Sequence, residues 1–337
     1  MRYQIEWNDY SVSSSKCIRR DKRSVVMRIV SRLIQASRDP IVAGVWVLGR
    51  ICPSILHSRV SRLAFRQGIT EFKFVLSFDC DTEKDIRVVE DVHEQLRTIG
   101  VTPVYAVPGE LLEKGSEVYR RIAATGAEFI NHGYRTHSHI DPVTGNYISS
   151  FFYDEIPREI LLEDIRRGHA AIKTVLNRTP KGFRVPHFGS FQRNSDLTYL
   201  YAQLRRLGYQ YSTSTTPLKA ILRGPVQLIT DGFWELPVSG CYSTPLSILD
   251  SFGFRIAPVR NVTEADYVKE FRLLAGYYLA GNRPGLMNIY ADPSQVYDWP
   301  EFFKCIGLVA NASVASYEHL LREVGGRRHA PPMASLP

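Results

Sequence analysis

At 337 residues with 44% hydrophobic content, the chain is long enough for one large core, and α/β barrels of this size form single domains. No run of eighteen apolar residues offers a membrane-spanning helix, and the opening MRYQIEWNDY lacks the basic start and apolar core of a secretory signal, so a cytoplasmic location is expected. The net charge of +8 is uneven: residues 1–70 hold thirteen Lys/Arg against four Asp/Glu, or +9, leaving −1 for the rest, and no recognised nucleic-acid-binding motif accompanies the charge.

Residues 1–70 read as a basic, partly helical N-terminal extension. Val26, Ile29, Val30, Leu33 and Ile34 recur at helical spacing among Arg23, Arg28, Arg32 and Arg38. A second apolar stretch, Ile41 to Leu56, is interrupted by Arg50 and Pro53 and is too short to span a bilayer. Packing against the following domain is the favoured expectation. Peripheral contact with anionic lipid at the inner face of a membrane is the alternative. Cys17, Cys52, Cys80, Cys241 and Cys305 are odd in number and lack CxxC spacing, so they are expected reduced and mostly buried.

From Phe72 the pattern alternates strand and helix. The apolar run Phe72–Phe78 is a strand, and Val88, Val92, Leu96 and Ile99 share a helix face that Gly100 ends. Val101–Val107 is the next strand, Pro108 opens a helix closed by Gly126, and Ala127–Ile130 follows as a strand. A helix from about Pro157 to Leu176, a strand near Gly182–Val185, a helix from about Asn194 to Leu207 and a strand at Tyr209–Thr213 continue the rhythm. Strands near Val226–Ile229 and Phe233–Val238, a helix from about Glu264 to Ala280, the strand Leu286–Tyr290 and a helix from about Ser316 complete it. Such alternation predicts a parallel β/α barrel.

The strand Phe72–Phe78 runs into Asp79-Cys80-Asp81, and His132, His137 and His139 follow some fifty residues later. Carboxylates two apart on a strand project to one side, and neutral imidazoles are the commonest side-chain metal ligands, so these residues can jointly hold a divalent ion and predict a metal-dependent hydrolase. Cys80 points the other way, into the core. Chemistry in a β/α barrel sits at the C-terminal ends of strands, where Asp79, Asp81, His132, Arg184, Trp234 and Asp292 fall in this reading. For Asp79 and Asp81 the bland alternative is a polar strand end capping the next helix, with Asp81 or Thr82 as N-cap. For Asp231 and Trp234 it is a turn-forming Asp-Gly and a core Trp.

Ser-Phe-Asp79-Cys-Asp81, Asn-His132-Gly-Tyr, Gly-Phe-Arg184-Val-Pro186 and Asp231-Gly-Phe-Trp234, in that order, resemble the polysaccharide deacetylase family with its NodB-homology domain, as in family four carbohydrate esterases. The first motif is similar to the Asp-x-Asp branch. The resemblance implies an α/β, distorted (β/α) barrel over residues 71–325, with residues 326–337 left as a flexible tail. It also implies removal of an N-acetyl or N-formyl group from an amino sugar of a surface glycan or its lipid-linked precursor, using zinc or another divalent metal.

By position, the resemblance makes Asp79 the general base and Asp81 a metal ligand with His132. The family's second histidine falls at Thr136, so His137 is expected as the third ligand ahead of His139 in a loop one residue longer. Arg184 would orient Asp79, Trp234 would be the aromatic wall against the acyl group, Asp231 would tune a neighbouring histidine with Glu235 as an equally good polar contact, and His187 would reach the substrate. Where the family has a histidine after its last long strand, this chain has Asp292. An Asp there acts as an acid only if its pKa is raised by burial or a nearby carboxylate such as Asp231; either the acid role moves to Asp292 or His187, or activity is weakened or absent. A catalytically silent glycan-binding protein and a hydrolase of a non-sugar amide such as a ureide are the other readings.

Overall fold

The computed structural model describes residues 40–143, 145, 147–256 and 262–328. The predicted helix around Val26–Ile34 and the tail 329–337 lie outside the described residues. Two N-terminal helices, α1 (Pro40–Ile51) and α2 (Pro53–Arg66), are bent 115° relative to each other at Cys52. Pro53, at the first turn of α2, has no N–H to carry α1 onward, which explains the break.

Strand β1 (Phe72–Asp79) is followed by α3 (Glu83–Thr98), β2 (Val104–Val107), α4 (Gly109–Lys114), α5 (Ser116–Ala124) and β3 (Phe129–Asn131). A two-stranded hairpin, β4 (Ser138–Ile140) and β5 (Tyr147–Ser149), intervenes before α6 (Arg158–Leu176). Then come β6 (Gly182–Phe183), α7 (Asn194–Arg206), β7 (Tyr211–Ser212), α8 (Pro217–Arg223), β8 (Gln227–Thr230) and β9 (Phe233–Glu235). The chain ends with α9 (Glu264–Leu279), β10 (Gly285–Ala291), α10 (Pro293–Val296), α11 (Pro300–Gly307) and α12 (Tyr317–Arg328). The hairpin, α8, α10 and α11 have no counterpart in the sequence reading, and the single helix expected from Pro108 to Gly126 divides at Gly115.

Eight strands form one curled sheet in the order β10-β1-β2-β3-β6-β7-β9-β8, parallel except for the antiparallel β8–β9 pair. Both faces are covered, which is why β1 reads as a continuous apolar run. Phe74, Leu76 and Phe78 pack outward among Val89, Val92, Phe271, Leu274 and Phe302 of the surrounding helices. Val75 faces a second core with Val104, Ala106, Ile130, Leu286 and Tyr317, filled from below by Leu320 and Val324 of α12.

The barrel is distorted at one seam. After β9 comes Pro237, which has no N–H to donate to a ladder. Ser239 instead donates its N–H to Asn288 O at 2.7 Å, and the Asn288 side chain donates to Leu236 O and Pro237 O, both at 3.1 Å. One main-chain bond and the Asn288 side chain thus bridge the gap between β9 and β10.

Candidate active site

Register brings the acidic residues together. Phe78 lies opposite Ala291 and Phe78 opposite Tyr105, so Asp79 and Asp292 emerge side by side at the C-terminal ends of adjacent parallel strands. Asp79 is nearly buried, and one carboxylate oxygen, Oδ1, accepts from Arg184 Nη1. Arg184 itself is fully buried with every donor group engaged: Nη2 donates to Ser77 Oγ at 2.9 Å, Tyr317 OH at 3.1 Å and Thr213 Oγ1 at 3.4 Å, and Nε donates to Thr213 O at 3.2 Å. A buried guanidinium costs several kcal/mol unless paired and hydrogen-bonded, and these partners meet that cost.

Asp81 takes no part in capping α3. Thr82 fills the N-cap position, and its N–H and hydroxyl both donate to Asp85 Oδ2, at 2.9 and 2.7 Å. The Asp81 carboxylate turns instead to the histidines: Oδ1 lies 3.3 Å from His132 Nε2 and 3.0 Å from His137 Nε2. Cys80, between the two acids, is buried in the outer core.

Both imidazoles are fixed by their other nitrogen. His132 Nδ1–H donates to Arg184 O at 2.9 Å, and His137 Nδ1–H to Arg135 O at 3.3 Å. A carbonyl only accepts, so each neutral ring has its lone pair on Nε2. Three buried acceptors, Asp81 Oδ1, His132 Nε2 and His137 Nε2, therefore crowd within 4.8 Å of one another without a hydrogen-bond donor from the protein. Buried polar atoms are almost always partnered, and mutually facing lone pairs repel, so the cluster demands a cation or a proton. His139 on β4 is exposed and outside the cluster.

The loop from 132 to 137 is built amide by amide. Gly133 N donates to Asn131 Oδ1 at 3.0 Å, Tyr134 N and Arg135 N to Asp164 at 3.1 and 3.0 Å, and Thr136 N to Glu110 Oε2 at 2.7 Å. Asp164, on α6, also accepts from Tyr153 OH at 2.7 Å. Gly133 has φ +79°, and a Cβ there would lie 2.4 Å from Asp164 Oδ2; a Cβ on Gly168 would lie 2.4 Å from Gly133 O. Those two glycines let α6 press its carboxylate onto the loop. This scaffold absorbs the extra residue between the histidines.

Asp292 is buried, and its pKa stands well above the usual carboxylate range, first because of burial and then because of Asp81, Asp85, Asp79 and Asp250 around it. Gln295 Nε2 donates to Asp292 Oδ2, Ser251 Oγ donates to Gln295 Oε1 at 2.7 Å, and Asp292 N donates back to Ser251 Oγ at 3.0 Å. His187 packs edge-on to His137 with ring centroids 4.9 Å apart, and its Nε2–H donates to Ser150 O at 2.8 Å. Burial, with His137 beside it, brings its pKa down to about 4. His187 is thus a neutral ring whose one N–H is committed to a carbonyl. Phe188, half-buried, packs on Tyr290 at 4.6 Å between centroids, and the Arg184 guanidinium lies 5.3 Å from the Phe188 ring.

Three expected contributors stand elsewhere. Asp231 and Gly232 are the exposed two-residue turn of the β8–β9 hairpin, with Thr230 paired to Phe233 and Gly232 at φ +73°. Because β9 runs parallel to β7, this turn lies at the strand N-termini, the end opposite Asp79 and Asp292. Trp234 pairs with Tyr211 and Leu228 in mid-strand and packs on the inner core. Glu235 is buried and holds the chain beyond β7, accepting from Ser214 N and Thr215 N, each at 2.9 Å, and from Thr215 Oγ1 at 2.8 Å. The structural alternatives for Asp231 and Trp234 are what the fold contains, and the neighbour that raises Asp292 is not Asp231. Sequence reasoning passed over Asp85, Glu110, Asp164, Asp250 and Gln295. Only the capping spacing Thr82-x-x-Asp85 signalled any of them.

Residues 70–212 match the family model described as polysaccharide deacetylase. No curated protein matches the chain. Among solved structures, a protein of Mycobacterium smegmatis provisionally described as a polysaccharide deacetylase aligns over 80% of this chain and 95% of its own, with 18% identity and a TM-score of 0.55, which shows a shared fold. A family 4 carbohydrate esterase from Streptomyces lividans in complex with acetate covers 71% of this chain and 86% of its own at 16% identity and a TM-score of 0.40. A CE4 family pseudoenzyme from Bacillus anthracis covers 72% and 61% at 12% identity and a TM-score of 0.41. With TM-scores below 0.5, the latter two are only loosely similar. Residues 70–212, the segment bearing the Asp79, His132 and Arg184 motifs, thus match the model of the polysaccharide deacetylase family, and the chain shares the distorted β/α barrel fold of the Mycobacterium smegmatis protein.

Proposed function

We propose that the chain is a divalent-metal-dependent hydrolase that removes an N-acetyl or N-formyl group from an amino sugar of a glycan or glycolipid. One observation carries the reading: three buried acceptors from one carboxylate and two imidazoles converge with no donor among them. One carboxylate plus two histidines is a donor set of catalytic zinc sites, which keep a further position open, and zinc is the preferred ion. Asp81, His132 and His137 would hold it. When bound, such an ion lowers the pKa of water toward about 7 and polarises an acyl carbonyl.

The remaining steps fall to side chains. Asp79 takes the proton from the attacking water on Oδ2, because Arg184 occupies Oδ1. Asp292 is the proton donor. With Gln295 donating to Oδ2, its own proton sits on Oδ1, ready for the amine nitrogen as the C–N bond breaks. His187, neutral and tied to Ser150 O, shapes the wall beside His137.

The lack of a histidine at the C-terminal end of β10, where Asp292 stands instead, favours one second reading, a silent glycan-binding protein. Metal analysis combined with detection of released acetate and formate from N-acetylated and N-formylated amino sugars distinguishes the two. Release that disappears in Asp79→Asn while metal content persists supports the hydrolase. Bound metal without release from any such sugar or from ureides refutes it.

A further inference from the structure

We infer that the elbow between α1 and α2 is a docking surface for an anionic phospholipid bilayer, set at the same end of the barrel as the site, so that the amino sugar hydrolysed belongs to a glycan held at that membrane. The substrate clause rests on the proposed function; the docking does not.

Of the thirteen exposed large hydrophobic residues among the described ones, six lie within residues 40–66, so the apolar surface is concentrated there. At the elbow, Trp46, Val47, Ile51 and Ile55 are 44%, 47%, 72% and 49% exposed. The inner faces are already satisfied: Leu56 and Val60 pack with Ile221, flanked by Val45, Leu48 and Leu246. The outer residues stand outside the core clusters. The elbow carries Arg50, and residues 40–66 contain no Asp or Glu; farther along α2, Arg62 and Arg66 add positive charge, while Arg59 is tied to Ile221 O and Leu222 O at 2.9 and 3.2 Å. The Arg50 guanidinium lies 5.5 Å from the Trp46 ring centroid, pairing a cation with an interfacial aromatic. A concentrated apolar knob with basic flanks and Trp fits the headgroup boundary of an anionic bilayer, where each Lys or Arg contributes about 1 kcal/mol. Residues 1–70 carry +9 against −1 for the rest, which gives this same end of the chain its long-range attraction.

Orientation follows from the partners of α2. His57 Nε2 bonds to Tyr242 O at 3.0 Å, and one turn later Ser61 donates to Pro284 O at 2.6 Å, immediately before β10 begins. The helix thus descends toward the N-terminal end of β10, and its Pro53 end, with α1, stands toward the end where β10 delivers Asp292. Gly49 of α1 packs on Pro245, in the loop whose far side pairs Asp250 with Tyr290.

A bilayer span is disfavoured by length: α1, at twelve residues, is about 18 Å long against a hydrocarbon core of about 30 Å, and one face of α2 is committed to the barrel. A second copy is disfavoured by charge, because the arginines would face their own images.

The test is co-sedimentation of the full chain with phosphatidylcholine vesicles, with and without phosphatidylglycerol at about a third of the lipid, enough for a strongly anionic surface. Binding that requires the anionic lipid, and is weakened about tenfold or more by Trp46→Glu with Ile51→Glu and by Arg50→Glu with Arg62→Glu, supports the inference. Metal content and release of acyl groups from a water-soluble amino sugar should be unchanged in both variants, which separates failed docking from failed chemistry. Equal binding to neutral vesicles, full binding by both variants, resistance to alkaline carbonate extraction, or a dimer in solution that Ile51→Glu dissociates would each overturn it.

Discussion

Replacing Asp81 by Asn gives the sharpest test of the metal centre, because the change should act differently on the free and the loaded protein. Without an ion, the wild-type cluster is relieved by a proton: burial lowers the His137 pKa, but the Asp81 carboxylate at 3.0 Å more than reverses this, and the net shift is upward. The introduced amide supplies an N–H to the same nitrogen with almost the same shape, so chelator-treated Asp81→Asn should unfold within about 1 kcal/mol of wild type, the scale of one net hydrogen bond. The loaded protein behaves otherwise. An ion at about a hundred times its Kd stabilises the native state by about 2.7 kcal/mol, a rise of roughly 5 °C for a large domain, and the Asp81→Asn variant should lose most of it. Thermal unfolding in chelator, then with zinc or cobalt added, measures both arms. A metal-induced rise that survives in Asp81→Asn, or none in wild type, would refute the argument that these three acceptors face one cation.

Other expectations concern the supports of the site. Arg184→Met strands the Asp79 carboxylate and the Thr213 carbonyl in the core, and should cost about 3–5 kcal/mol in denaturant unfolding. Asp164→Asn turns an N–H toward the Tyr134 and Arg135 amides, and should weaken metal affinity about 10- to 100-fold in a competition titration while the far-ultraviolet dichroism stays unchanged. Asp292→Asn should retain the metal and lower turnover by about two to four orders of magnitude; a fully active variant would place the acid elsewhere. The buried Glu128 offers a pH test away from the site. Burial raises its pKa to about 7, so the native state binds a proton that the unfolded chain has released, and stability falls as pH rises from near 4.5 through 7. The loss amounts to about 3 kcal/mol across that window, and Glu128→Gln should flatten it.

The parallel strands were legible because burial on both faces leaves an apolar signature that needs no knowledge of neighbours, as in Phe72–Phe78 and Leu286–Tyr290. Short elements outside that strand–helix alternation were not. Strands β4 and β5 have three residues each, and α10 has four, below the length at which periodicity can be read. Asp231-Gly-Phe-Trp234 shows the opposite error, a motif read at the wrong end of its strand. The two-residue turn at Asp231-Gly232 reverses the chain there, so the motif stands at the start of β9, away from the strand C-termini.

Residue order alone determined which groups could do chemistry, since acids two apart after a strand and histidines in the loop beyond β3 project toward one mouth whatever surrounds them. Tertiary structure decided which of them meet. His137 is buried against Asp81 while His139 is exposed, a choice made by Glu110 and Asp164 binding the loop amides from helices outside the motif. Likewise, Asp292 becomes a proton-holding group only because β10 pairs with β1 and sets it among four other carboxylates. A pKa and a coordination point are properties of a local field and a local geometry, and both arise from residues far apart in the chain.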